Sequence, residues 1–245
     1  MNHTAKPKPR AWPQIHEKVL KLIGALGSPA NRKVLDAPLG PGALAWELHD
    51  RGYAVTGADI DLQQSDNLPA EIIRQKCNLN SPLPFADSSF DLITSLEGIE
   101  HVENHFLLLR EFGRVIRPGG RLIISTPNIC SLEQRLHFLE RGTFYRFIRR
   151  EEIEQKGSGF DHQNLISYVE LRQVLDWAGF QIERVEKDRA KWRQVIFLLP
   201  LWLFLKANLA LQSDQRKAKY LLSETGSHTV LLGGNTIILQ AKKTV

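Results

Sequence analysis

The chain has 245 residues, 42% of them apolar and 24% charged, a balance that excludes wholesale disorder, a collagen-like repeat and a coiled coil. That length is enough to bury one large core. The net charge of +5 is concentrated: between positions 187 and 219, Lys187, Arg189, Lys191, Arg193, Lys206, Arg216, Lys217 and Lys219 face only Asp188 and Asp214, a local excess of +6. So local a field points to an anionic surface or substrate beside that segment and away from nucleic acid spread over the molecule. Cys77 and Cys130 are too few for a disulfide framework and show no metal-ligand spacing with the histidines, so no metal is expected. The basic N-terminus is followed by no apolar stretch of the kind that marks a secretory signal, which together with the cysteine usage predicts a cytoplasmic protein.

Taken in chain order, positions 1–10 are polar and proline-containing and read as a frayed tail. Ile15, Val19, Leu20, Ile23 and Leu26 then recur at helical spacing. Short apolar runs follow, at 33–36, 53–58, 71–74, 90–95 and 121–126, alternating with helical stretches that are clearest at 43–50 and 105–115. Pro118, Gly119 and Gly120 act as a stop after the second of these. Such alternation predicts an α/β doubly wound sheet with helices on both faces. Past Pro127 it lapses: 131–139 reads as helix, and Gly157 and Gly159 break up a mixed stretch. Helix and strand return at 169–178 and 180–186, and a last strand is predicted at 236–241. Residues 196–205 (IFLLPLWLFL) form the most apolar run, but a bilayer span needs about twenty such residues and Lys206 stops it short.

The sequence VLDAPLGPGALAWEL places Asp36 at a strand end, Gly40 and Gly42 in the turn and Ala43 at a helix start, where free amide hydrogens and closely approachable backbone suit a ligand. Asp59 ends the next strand, where a carboxylate can accept from both hydroxyls of a ribose. The pattern from Gly40 to Ala45 also matches dinucleotide-binding turns. An acid at position 36 would repel a pyrophosphate but attracts a cationic amino group, which favours S-adenosylmethionine.

Four blocks in order, VLDAPLGPG, VTGADID, NLNSPLPFADSSFDLITSLEGIEHV and EFGRVIRPGGRLIISTPN, give the chain its resemblance to class I S-adenosylmethionine-dependent methyltransferases. The resemblance implies a Rossmann-like seven-stranded sheet, mostly parallel, with the last strand antiparallel. It places Asp36, Gly40 and Gly42 around the methionine end of the cofactor, Asp59 on the ribose, Asn78 and Leu79 beside the adenine, and the Ser95 to Glu97 turn near the methyl donor. Pro38 stands where the family usually has a glycine, which stiffens the turn and removes an amide donor. Asn78 replaces a common aspartate.

Transfer to a high-pKa hydroxyl gains from a positioned base, and Glu100, His101 and His162 are the candidates. Each has a plainer reading: a cap or packing group at the next helix start for His101, a structural hydrogen bond for His162. Asn128 ends a strand on the ligand edge and reads equally as a substrate contact or a turn anchor. The domain reading is one methyltransferase unit over 1–245: tail and helix at 1–30, cofactor core at 31–128, acceptor-side insertions at 129–160 and 190–232, and completion of the sheet at 161–189 and 233–245. Arg135, Arg141, Arg146, Arg149, Arg150, Phe138, Phe144, Tyr145 and Phe147 make the first insertion a candidate lid.

The expected acceptor is a small or lipid-linked molecule. A quinone-like precursor fits a peripheral membrane contact through Ile196 to Leu205, and the similarity of STPNICSLEQRLHFLERGTF to enzymes of bacterial polysaccharide clusters favours a glycan or its carrier. A lid or dimer helix is the plainer reading of 192–211. A nicotinamide-dependent oxidoreductase and a non-catalytic cofactor-fold module remain as other classes.

Overall fold

A computed structural model of the chain describes residues 6–11, 13–30, 32–144, 162 and 164–244. Helix α1 (Pro13–Gly24) turns Ile15, Val19, Leu22 and Ile23 inward at helical spacing. Strand β1 (Lys33–Asp36), helix α2 (Ala43–Asp50), strands β2 (Ala54–Asp59), β3 (Ile73–Lys76) and β4 (Phe90–Leu96), helix α3 (His105–Val115) and strand β5 (Ile116–Pro127) follow. After α4 (Leu132–Arg141), the described chain resumes as α5 (Tyr168–Trp177), β6 (Phe180–Lys187), α6 (Trp192–Leu211), three short helices, α7 (Asp214–Lys219), α8 (Leu222–Thr225) and α9 (His228–Leu231), and β7 (Thr236–Lys243).

The seven strands lie in the order β3-β2-β1-β4-β5-β7-β6. All run parallel except β7, which enters between β5 and β6 antiparallel to both. The doubly wound expectation and the reversed last strand are both met. Alternate residues of each strand serve opposite faces. Val34, Val55, Leu92, Ile123 and Ile238 pack with α1 and α2, while Leu35, Ile93, Leu122 and Leu239 pack with Leu108, Leu109 and Phe112 of α3 and Leu171 and Leu175 of α5.

Most boundaries fall within two residues of the sequence reading, and two differences have a clear physical cause. The third strand starts at Ile73, because Ile72 closes a turn onto the Pro69 carbonyl (3.1 Å) and is itself buried. The stop at Pro118-Gly119-Gly120 is a detour inside β5: Ile116 already pairs with Phe90, and pairing resumes at Arg121 opposite Leu92. Positions 145–161 of the candidate lid, including Tyr145, Arg146, Phe147, Arg149, Arg150, Gly157 and Gly159, lie outside the described residues. Within the described part, Arg135 donates to the carbonyls of Cys130 and Thr225, both at 2.9 Å, and so ties α4 down.

Candidate active site

The turn after β1 is fixed from both sides: the Ala37 amide donates to Thr94 O of β4, and the Leu39 amide to Ala58 O of β2, each at 2.9 Å. The Ala37-Pro38 bond is cis. The Pro38 ring lies against Gly98, where an added Cβ would come within 2.2 Å of Pro38 Cδ. Gly42 opens α2 with φ 79°, a left-handed backbone, and a Cβ there would strike Leu68 at 2.4 Å. Gly40 also has positive φ (51°), but the place of its missing Cβ is open within 4 Å, and that space belongs to a cavity. Gly42 has no side chain to cap α2, and the Ala45 amide of its first turn is directed instead at the Asp36 carboxyl.

Asp36 is buried, with one oxygen accepting the Thr94 hydroxyl at 2.6 Å. Burial pushes its carboxyl up to about 7; the Thr94 hydroxyl and the Ala45 amide of α2 oppose that rise, and the negative charge of Asp59 adds to it. A carboxylate this costly to ionise alone gains most from a ligand that brings a positive charge. Asp59 Oδ2 accepts from the Gly40 amide (2.7 Å) and Oδ1 from the Asp61 amide (3.0 Å), so each oxygen keeps a lone pair for a hydroxyl donor. Asn78 Oδ1 accepts the Asn80 amide (3.0 Å) and likewise keeps acceptor capacity.

One cavity of about 550 Å³ brings together Asp36, Gly40, Asp59, Asn78, Leu79, Glu97 and His101. Its size is that of sites for drug-sized ligands. Gly42, Ser95, Glu100 and His162 do not line it. Gly42 shapes the turn, Ser95 is fully buried at the end of β4 behind Gly98, and Glu100 is fully buried beside Thr126, whose hydroxyl reaches its Oε2 at 3.4 Å. Glu97 holds a left-handed backbone (φ 49°), uncommon for a residue with a side chain, and its amide donates to Ser125 Oγ at 3.0 Å.

Over its described part, from Lys6 on, the N-terminal segment corrects the expectation of a frayed tail. Lys6 pairs with Glu47 of α2 and lies 5.5 Å from the Trp46 ring centre, and Pro9, Arg10, Ala11 and His16 wall the cavity, as does Gln64. The sequence signalled none of these, because a polar, proline-containing stretch carries no periodicity to show that it folds back. Burial lowers the His16 imidazole below its ordinary value.

At the cavity's other end the fold joins residues far apart in sequence. Glu100, His101 and His162 offer ligand atoms all within 4.8 Å of one another, and the two imidazole rings meet edge to face at 4.9 Å. The Asn164 amide donates to Glu100 O (3.0 Å) and its side chain to Val102 O, which holds the segment carrying His162 against the turn carrying His101. Such a set can pass or share a proton, and could also hold a divalent cation. The capping reading of His101 fails: Asn104 caps α3 by accepting the Leu107 amide at 2.9 Å. Asn128 is an anchor and not a substrate contact, since it is buried, donates to Val230 O (2.9 Å) and accepts from the Cys130 amide (3.2 Å).

A family model described as a methyltransferase domain matches residues 9–185. The chain is similar to the ubiquinone biosynthesis O-methyltransferase of Nitrosococcus oceani, 33% identical over 167 residues that cover 60% of this chain and 70% of that protein. It is also similar to the demethylmenaquinone methyltransferase of Tropheryma whipplei, 27% identical over 70% of this chain and 73% of the other. Among solved structures, an S-adenosylmethionine-dependent methyltransferase from Mesorhizobium loti shares the fold with a TM-score of 0.58 at 18% identity, over 91% of this chain and 96% of that one.

Proposed function

The chain belongs to the methyltransferase domain family and uses S-adenosylmethionine, and from that premise we propose that it methylates a hydroxyl oxygen on a quinone-like, lipid-linked small molecule. Membership sets aside the oxidoreductase and non-catalytic readings. The observation that carries the proposal is the placing of His101: it lines the donor cavity and touches His162.

The cavity suits the cofactor. Asp36 faces the cationic amino group, the open space at Gly40 admits the backbone-close part of the ligand, and Asp59 and Asn78 supply acceptors for ribose hydroxyls and the adenine amine. The cofactor supplies an electrophilic methyl group. The chain's part is to orient, to exclude water and to take a proton. Pro9 to Ala11 and His16 wall the cavity, and Leu79, Leu96 and Val102 give it apolar surface. His101 is the group in position to accept the acceptor's hydroxyl proton. Glu100 and His162 hold its ring and offer the proton a further site.

The similarity to two enzymes named for quinone pathways supports a quinone-like ring over a glycan or glycolipid. Incubation with donor labelled in its methyl group and a membrane-lipid extract tests this. Label is expected in the isoprenoid quinone fraction and is lost with His101→Ala. Label confined to glycan or RNA would overturn the acceptor assignment.

A further inference from the structure

The donor cavity leaves unused an apolar ridge formed by α4 and α6. One face of α6 packs Leu198, Leu201, Trp202 and Leu205 against Leu132, Leu231 and Leu232. Between positions 196 and 204 other apolar side chains of the helix face water: Ile196 is 73% exposed, Phe197 84%, Leu203 52% and Phe204 64%. From α4, Leu136 (40%) and Leu139 (80%) are exposed as well. Leu136 and His137 share one groove with Phe197 and Leu198, which joins the two helices there; Glu133 and Glu140 line the same groove, with Lys191 and Arg141 as their respective ion-pair partners. Contiguous apolar area of this kind marks a contact site.

Directly after α6 comes α7, DQRKAK, which has no buried residue and sets Arg216, Lys217 and Lys219 against Asp214. Beside it the exposed Tyr220 ring lies under Lys219 Nζ at 5.3 Å. We propose that the α4–α6 ridge and the basic α7 together dock on an anionic membrane surface, with the apolar side chains in the lipid boundary and the cations among the headgroups. This deepens the reading of a lipid-linked acceptor and rests on it for its purpose.

Three observations favour that occupant. Apolar side chains adjoining a solvated cationic helix match an anionic interface, whereas a second copy of the chain would bring two clusters of the same sign together. Among the described residues no helix is long and apolar enough to cross a membrane, so the contact is peripheral. Finally, α4 starts beyond the end of β5 and α6 beyond the end of β6, which runs parallel to it. Both helices therefore leave the sheet at the edge where β1 and β4 open into the donor cavity, and docking there turns the cleft toward the lipid.

The test is co-sedimentation of the full chain with phosphatidylcholine vesicles, with or without about one third phosphatidylglycerol. Wild type is expected to sediment only with the anionic vesicles. Phe197→Ser with Phe204→Ser, and separately Arg216→Glu with Lys219→Glu, are each expected to weaken binding by at least about tenfold. Binding of S-adenosylhomocysteine, read by calorimetry in the same samples, is expected unchanged and shows the variants folded. Wild type left in the supernatant, variants that sediment like wild type, or a wild-type dimer that the phenylalanine pair dissociates would overturn the proposal. Absence of S-adenosylhomocysteine binding with sedimentation intact would instead strike the donor-site reading and leave the docking surface standing.

Discussion

Thr94 donates its hydroxyl to Asp36 across 2.6 Å, so the carboxylate proposed to face the donor's cationic group is aimed from the neighbouring strand. The bond favours the ionised form against the burial that disfavours it. Thr94→Val keeps the shape and removes the donor. Affinity for S-adenosylmethionine at neutral pH is expected to fall by about tenfold, the worth of a hydrogen bond to a charged group. Calorimetry should find the loss smaller in alkaline solution, where Asp36 ionises without help.

Asp36 also links pH to folding. Its carboxyl lies near 7 in the fold against an ordinary 3.8, so between those values the folded chain holds a proton that the unfolded chain has released. Stability of the ligand-free protein should therefore fall as pH rises through that window and level off above it. At about 1.4 kcal/mol per unit the full effect is on the order of 4 kcal/mol. Asp36→Asn is expected to flatten the slope and melt higher than wild type at pH above about 8, while losing the donor. A parallel pH dependence in both proteins would contradict this.

Gly98→Ala puts a methyl group 2.2 Å from Pro38 Cδ, and a pyrrolidine ring has no rotamer to yield. A loss of about 1–3 kcal/mol in stability is expected from denaturant melts, with weaker donor binding because the turn holding Gly40 moves.

His101→Ala and His162→Ala are each expected to lower kcat by about a hundredfold or more, as for loss of a positioned base, with the donor Kd unchanged. The acid limb of the kcat profile should disappear with His101→Ala. Persistence of that limb would place the titrating group elsewhere.

Deleting residues 1–11, or breaking the Lys6–Glu47 pair with Lys6→Ala, should raise the donor Kd severalfold, the deletion more than the point change. Equal affinities would mean that Pro9 to Ala11 only cover the cavity.

The parallel core was legible because its central strands β1 and β4 are largely buried and its helices amphipathic, so Val34-Leu35 or Leu108-Leu109 announce themselves by composition and period. The cavity-lining turn was legible for a different reason: Asp36, Gly40, Asp59 and Asn78 are close to strand ends, where local pattern and the proposed donor site coincide. His16 and Arg10 were not, since their places depend on a chain segment folding back onto α2, which no local rule encodes. His101 and His162 were each visible as candidates, but their contact is tertiary. It depends on Asn164 holding one loop to another. The third strand was displaced in the reading because a turn at Pro69 outweighs the propensity of Ile72 for a strand.

The insertion of β7 between β5 and β6 has a bearing on biosynthesis. Among the described residues β6 has no other strand neighbour, so while a ribosome is still short of Thr236 the edges of β5 and β6 that β7 will cover wait unpaired. Exposed edges of this sort invite aggregation. The nascent polypeptide thus joins β6 to the rest of this sheet only when β7 emerges from the exit tunnel, and chaperone protection matters most in that interval.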